Sequence, residues 1–564
     1  PFWLHVVAWR AGQRSHTDTA HSAASVRSRM TSRKEAYVRA GPCWTWRSYA
    51  FGALGWVFTV STVLFTLLRR LGNAPPVGHP SHEVSMAVHI ITCSQITSFL
   101  IVAPVLCQWI VGFVWPGGIQ GFAGAEGQRA LPATPLTGTP TSQKSGLSES
   151  LIPAEESGLK TGDVFLCFRV CTRGDNPLLI KDTCQKNAAL LNLMGVPSIL
   201  EVVTDNCLGL PDTRDLKRQN LNGLTGCAHI VQMVVPTAYQ TNTGALFKAR
   251  ALNYALKAGG SCLEDDDIVV HLDEETLLHS SSVNGIQGFA RVYPDRIGQG
   301  VIVYGHGDIV KTLFTAADSV RVADDWCRFR LNLSLETALV GMHGSYVVNS
   351  AGLERHVTYD FGPEGSVTED AFFAIAAIDK GYKFAFIDGY MEEKSPFTFM
   401  DFVKQRRRWL RGLTLVSCAP EFSWRLRWML KLSTFAWWMT PLMLPLTLTT
   451  LFLIYFVGNI RLPAIVVTLQ GLAYGTVLWV YVFGACYNFR VGNEPLLYAS
   501  RVLMTGVLAP LAGILESSCV LYAWFTPEDA KKPQFHIVDK EYAALKARAG
   551  VAERQEAPGL AVAA

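Results

Sequence analysis

Charge-free apolar stretches flank a middle region in which short apolar runs alternate with amphipathic ones. Residues 49–68 (YAFGALGWVFTVSTVLFTLL) and 86–115 contain no Asp, Glu, Lys or Arg, and 433–456, 462–486 and 502–525 are again long and apolar. A membrane-crossing helix needs about 20 such residues, so four spans are expected, Pro104 marking a kink in the second. The fifth segment differs, because it holds Pro510 and Glu516, and an acid at mid-membrane costs roughly 2.5–3.5 kcal/mol, taking Asp as the proxy. It is expected to cross incompletely, which makes two or three spans over 433–526.

The region from about 161 to 411 has another rhythm. β-rich runs at 164–170, 199–204, 230–235, 268–272, 301–304 and 384–387 alternate with helical spacing near 178–194, 245–258 and 369–380. Such alternation predicts an α/β domain with a mostly parallel sheet, whose ligands sit beyond the carboxyl ends of the strands. The stretch 117–160 is rich in Gly, Pro, Ser and Thr without hydrophobic period and reads as a flexible linker.

Composition fits this division. The chain has 564 residues, 49% hydrophobic and only 17% charged, against about a quarter charged in ordinary soluble proteins. A net charge of +4 argues against nucleic-acid binding. Its placement is informative: Arg and Lys crowd the tail 1–48, which is expected to be disordered, and the run Arg406, Arg407, Arg408, Arg411, Arg425, Arg427, Lys431 precedes the third span. The positive-inside rule puts the N-terminus and the middle region in the cytosol and the loops 72–85 and 457–461 outside, with Arg69 and Arg70 running against it. The basic, aromatic stretch 412–432 reads as interfacial helix in the cytosolic leaflet. Thirteen cysteines, odd in number and without paired spacing, suggest no zinc or disulfide framework and suit a reducing compartment.

Candidate chemistry follows the strands. Asp273-Glu274-Glu275 comes after 268–272; carboxylates at i and i+2 can hold a hard divalent cation, or they form a solvated acidic turn. Asp205 follows 199–204, where a nucleotide-recognising acid would stand. Lys248 opens KARALNYAL, either a phosphate-facing helix start or an amphipathic helix with its bases in water. Thr368-Glu369-Asp370 precedes an apolar helical run, which capping alone could explain. Gln405-Arg406-Arg407-Arg408-Trp409 adjoins the membrane, where Arg clusters often meet lipid headgroups. No phosphate loop, dinucleotide fingerprint, HExxH or GxSxG is present. The spans are nearly bare of the ionisable groups a transporter carries.

The ordered set KAxALNxAL, acidic DxE, TED and QxxRW, followed by apolar spans, resembles the processive-type family 2 glycosyltransferases, which include the cellulose, chitin, hyaluronan and mannan synthases. The segments RVCTRGDNP at 169–177, EVVTD at 201–205, HLDEET at 271–276, GSYVV at 344–348, EKSPFT at 393–398 and QRRRWL at 405–410 are more narrowly similar to the egghead-type β-1,4-mannosyltransferases. The resemblance covers about 161–540. It implies a GT-A fold (Rossmann-like) and inverting transfer of mannose from GDP-mannose to a membrane glycolipid such as glucosylceramide. It further implies that Asp205 recognises the nucleoside and that Lys248, Asn253, Thr172, Arg173 and Asp273 border the donor. By the same resemblance Asp273 and Glu275 hold Mn²⁺ or Mg²⁺, Asp370 is the general base beside Glu369, and Gln405, Arg408 and Trp409 form the acceptor and diphosphate end. An integral, multi-pass protein of the Golgi or ER rather than the plasma membrane is the corresponding location. The alternatives are a polymer-extruding synthase and, from another class, a membrane scaffold with a dead transferase domain. Lys531–Lys540 loosely resembles the FxVTxK segment that covers the active site in family 2 synthases, and three full C-terminal spans would leave it on the wrong side.

Overall fold

The computed structural model describes residues 82–114, 164–221, 224–257, 261–306, 312–442, 463–490 and 494–526. The expected tail 1–48, the span 49–68, the linker, most of the span 433–456 and everything after 526 lie outside the described residues.

Seven strands make one sheet: β1 Leu166–Thr172, β2 Ser198–Thr204, β3 Cys227–Val234, β4 Ile268–Leu272, β5 Arg296–Val303, β6 Val347–Ser350 and β7 Lys383–Glu392. Their spatial order is β3-β2-β1-β4-β6-β5-β7. β1 to β4 are mutually parallel, β7 is parallel to β5, and β6 runs antiparallel to both its neighbours. Every residue of β2, β4 and β5 is buried, as expected where helices cover both faces of a parallel sheet. On one face α2 (Pro177–Leu193) and α4 (Ser280–Val292) bring Ile180, Leu191, Ile286 and Phe289 onto Phe168 and Val270. On the other, α3 (Phe247–Ala255) and α6 (Glu369–Asp379) pack Leu252, Phe373 and Ile375 around Val203 and Ile297. The α/β expectation holds, and three expected helices lie within a few residues of α2, α3 and α6. The short antiparallel β6 and the helix α4 lay outside the sequence reading.

A charged cluster lies inside this sheet. Arg169 stands in register with Glu201 on β2 and with His271 on β4. Its Nε donates to Glu201 at 2.7 Å and its Nη1 to Glu354 at 2.9 Å, Glu354 coming from the short helix α5 (Ala351–Val357). His271 Nε2 also bonds Glu354, and the Tyr359 hydroxyl lies 3.3 Å from that nitrogen. All five side chains are buried. Buried charges persist only when paired and hydrogen-bonded, so the first residues of three of the motifs above are structural.

The QRRRW segment lies on α7 (Phe399–Cys418), which runs unbroken across the expected boundary at 411 and is followed by α8 (Trp424–Trp438). The second expected span falls in α1 (His82–Val114), with Pro104 inside it. Among the described residues, two helices are long and apolar enough to cross a membrane: α9 (Ala464–Asn488) and α10 (Pro495–Phe525). α10 is continuous through Pro510, and Glu516 has a partner, because Arg406 Nε donates to it at 3.0 Å while Arg406 Nη2 bonds Asp318. Arg407 donates to the Thr526 carbonyl at 2.9 Å and Arg411 to that of Ala523 at 2.8 Å. Cations at the carbonyl end complement the helix dipole. The chain therefore leaves α10 against the helix that carries the QRRRW motif.

Replacing Arg169 with Met is expected to lower stability by about 3–5 kcal/mol, the usual cost of stranding buried partners of a removed charge. Arg169→Lys should not restore it, because one ammonium cannot reproduce the forked contacts. Thermal unfolding in detergent reads this, and an unchanged midpoint would show that the cluster does not hold the strands.

Candidate active site

At the carboxyl ends of β1, β2 and β4 opens a cavity of about 690 Å³ lined by Thr172, Arg173, Asp205, Lys248, Asp273 and Glu275. It passes Glu369, Asp370, Gln405, Arg408 and Trp409, then continues between the apolar helices, where Phe99 and Trp109 of α1, Trp437 of α8, and Gln470 and Tyr474 of α9 line it.

The Lys248 ammonium organises the near end. It sits 2.7 Å from Asp273 Oδ1 and 3.7 Å from Glu369 Oε1, and donates to the Gly344 carbonyl at 2.8 Å. Only 13% of its side chain is exposed, so it is not a water-facing base of an amphipathic helix. Burial pulls its pKa down, but the Asp273 and Glu369 carboxylates outweigh this and hold it above its ordinary value. In the acidic triplet the middle residue is an anchor, since Glu274 accepts from the Thr172 hydroxyl at 2.7 Å and from the Asn176 amide. Thr172 thereby joins the end of β1 to the end of β4. Asp273 keeps 40% of its side chain exposed, whereas Glu275 is buried.

Glu369 and Asp370 occupy the first turn of α6, and Thr368 makes no side-chain capping bond there. Asp370 Oδ1 instead accepts from the Ala371 amide at 2.7 Å, so one acid serves the helix start while both acids line the cavity. Burial, then the negative charge of Asp370, raises the Glu369 pKa above the ordinary carboxylate range; burial raises Asp370 as well. Lys248 and Arg408 pull both back down, and for Asp370 the Ala371 amide, which donates to its Oδ1 at 2.7 Å, does so ahead of them. Gly344 lies against the pair: a Cβ there would stand 3.3 Å from Asp370 Oδ2 and 3.3 Å from Lys248 Nζ.

From α7, Arg408 points into this acidic group. Burial lowers its pKa, while Glu369, Asp273, Asp370 and Glu275 act to raise it. Gln405 is buried and accepts from Arg406 Nη1 at 2.8 Å. Trp409 lines the cavity, but the guanidinium groups of Arg321 and Arg406 each lie 4.5 Å from its ring centroid, so its faces are shared with cations. Arg406, which the sequence suggested as a headgroup contact, is an internal tie between α7, Asp318 and α10.

Asn253 is not among the cavity-lining residues; its amide donates to the Tyr239 hydroxyl at 3.2 Å. Asp205 lines the cavity with its carboxylate bonded to Arg250. Arg250, Glu274, His343 and Glu393 escaped the sequence reading as site residues. The hint was their place inside the quoted motifs, or one residue before GSYVV for His343. Glu393 accepts from Thr276 Oγ1 at 2.9 Å and from Ser345, fastening the end of β7 to the acidic turn. Among the described residues no group of three or more His, Cys, Asp or Glu converges as a metal cluster. A Mg²⁺ held beside a diphosphate uses only one or two carboxylates, phosphate and water oxygens completing its shell. Asp273 and Glu275, both hard oxygen donors on the cavity wall, fit that requirement.

Residues 268–486 match the model of glycosyl transferase family group 2. The chain is 39% identical over 395 residues to β-1,4-mannosyltransferase bre-3 of Caenorhabditis briggsae, covering 67% of this chain and 79% of that one. It is 37% identical over 385 residues to β-1,4-mannosyltransferase egh of Drosophila melanogaster, covering 68% and 79%. Among solved structures, the mannosyltransferase PcManGT from Pyrobaculum calidifontis, in complex with GDP-Man and Mn²⁺, aligns with 76% of this chain and 99% of its own at 12% identity and TM-score 0.34, too low to carry an inference.

Gly344→Ala is expected to cut turnover by up to about 10²-fold, the scale on which small displacements of reacting groups act, with the thermal midpoint nearly unchanged. Wild-type kcat/KM is expected to fall on the acid side with an apparent pKa above the ordinary carboxylate range. The raised groups take up protons as pH falls through their shifted values, so the ionised carboxylates are lost there. A limb at the ordinary value would contradict the raised pair.

Proposed function

The chain belongs to the family 2 glycosyltransferases, with β-1,4-mannosyltransferases as its relatives, and from that premise we propose that it transfers mannose from GDP-mannose, with inversion, to a glycolipid held at a membrane. The observation that carries this reading is the continuity of the cavity. Its charged end can take a sugar diphosphate, and its far end runs among Phe99, Trp109, Trp437 and Tyr474 of long apolar helices. A volume of about 690 Å³ is of the size usual for small-molecule sites. An acceptor whose sugar reaches the acids while its lipid stays among the helices suits that shape. Glucosylceramide is such a lipid, and the Golgi or ER, with the catalytic domain facing the cytosol, is the corresponding location.

Asp370 is the proposed base. The acceptor hydroxyl gives its proton to the Asp370 carboxylate as its oxygen bonds the anomeric carbon, and the bond from that carbon to the diphosphate breaks on the opposite side. The leaving diphosphate gains negative charge, which Arg408 and Lys248 are positioned to meet; preorganised cations in a dry site stabilise such charge without reorganising. The Lys248 ammonium, 3.7 Å from Glu369 Oε1, offsets the charge of Glu369 and favours the ionised form of Asp370 as well. Asp205 and Arg173, at the β2 and β1 ends, border the nucleoside and phosphate side. Asp273 and Glu275 would hold a Mn²⁺ or Mg²⁺ ion, which when bound supplies Lewis-acid neutralisation of the diphosphate.

Asp370→Asn is expected to lower transfer of labelled mannose by about 10²–10⁴-fold while the folded protein is retained. With wild type, label from GDP-mannose should appear in the lipid extract. Label in a polymer fraction, transfer only from UDP-glucose or UDP-N-acetylglucosamine, or full turnover of Asp370→Asn would each overturn the reading.

A further inference from the structure

His343 stands on the cavity wall beside Gly344, the residue that abuts Asp370. Its Nε2 bonds Asp325, a fully buried carboxylate whose other oxygen accepts from the Ile302 amide of β5 at 3.1 Å. Asp325 opens a π-helical turn, Asp325–Phe329, a local widening that recurs at functional sites. That turn also supplies Phe329, whose ring stacks on the imidazole at 4.7 Å and 23°. The His343 amide donates to Gln299 on β5 at 3.1 Å. Ring, backbone and carboxylate partner are therefore all fixed, while the side chain stays on the wall of the cavity that holds the proposed base.

We propose that the His343–Asp325 pair is a positioning device that keeps a positive charge beside Asp370, preserving the base in its ionised form within the cavity. This rests on the reading of Asp370 as base. Glu369 is buried and the adjacent Asp370 half-buried, and an opposite charge nearby favours the ionised form of such a group. Asp325 holds the imidazole in the way a buried carboxylate orients and stabilises an imidazolium elsewhere. The charged groups facing the imidazole are Asp325 and Arg321 from the 319–334 segment, Glu393 after β7, and Asp370 from α6. Arg321 opposes its protonation, but this guanidinium is drawn off by Asp318 at 3.8 Å and lies over the rings of Tyr304 and Trp409. Against burial, Asp325 holds the imidazole pKa above its ordinary value. Asp370 in turn is pulled down first by the Ala371 amide and by Lys248, then by the same imidazole and by Arg408.

The test is the pH dependence of kcat/KM for the full-length enzyme in detergent, with GDP-mannose and solubilised glucosylceramide. His343→Gln and Asp325→Asn should each move the acid limb upward by about one pH unit, the lower end of the effect of a neighbouring opposite charge, and alkaline turnover should stay within a few-fold of wild type. His343→Arg, which keeps a fixed cation, should leave the limb near its wild-type place. Uniform loss at every pH with the limb unmoved, an Arg variant that shifts as far as the Gln variant, or loss of the folded protein in all three would overturn the proposal. Asp370→Asn separates the two readings: if it keeps its activity the base assignment fails, and if it is dead while His343→Gln leaves the limb in place, only the positioning role fails.

Discussion

The placement of the strand-end groups in the cavity depends on the Arg169 cluster inside the sheet. One guanidinium joins carboxylates from β2 and from the Ala351–Val357 helix, with His271 of β4 in register beside it. Sliding any of the three strands by a residue would invert the faces of its side chains and strand a buried charge at the same time. That double penalty sets the strand ends. Thr172 and Thr204 are level across β1 and β2, and Asp205 and Asp273 follow at the same edge. The site is a consequence of register before it is a consequence of loops.

Above that edge the constraint becomes one of charge in a dry space. Lys248 reaches Asp273, Glu369 and the Gly344 carbonyl together, so a single cation joins α3, the β4 end, the start of α6 and the loop before β6. Arg408 adds a second cation from α7. Arg406, next but one in sequence to Arg408, points elsewhere, to Asp318 and Glu516. Neighbouring arginines thus divide between the reaction centre and the tie to α10. The cavity inherits both environments, with ion pairs at one end and apolar helices at the other.

Much of this was legible in the sequence, and its limits have physical causes. Continuous apolar runs betray buried parallel strands, so β1, β2, β4 and β7 were readable, whereas β6 spans four residues and leaves no periodicity. Asp273 was legible from its place after β4, and Lys248 and Asp370 from the ordered motifs at the starts of α3 and α6. Their partners did not show, because Arg250, Glu274 and the His343–Asp325 pair become meaningful only through contacts made across the fold. Glu516 looked like a flaw in a span because its partner is 110 residues away in the chain. Thr368-Glu369-Asp370 has the composition of a helix cap, and Asp370 does accept from the Ala371 amide; that both acids also line the cavity is invisible in composition. Asn253 sits in the same motif as Lys248, yet its helical position turns it to Tyr239.

The most direct test of a single displacement driven by Asp370 is the anomeric configuration of the first product. With the α-linked sugar of GDP-mannose as donor and glucosylceramide as acceptor, NMR of the product at early turnover should show one β-linked mannose on the lipid. An α-linked product would contradict inversion at this site, and with it the assignment of one base acting in one step.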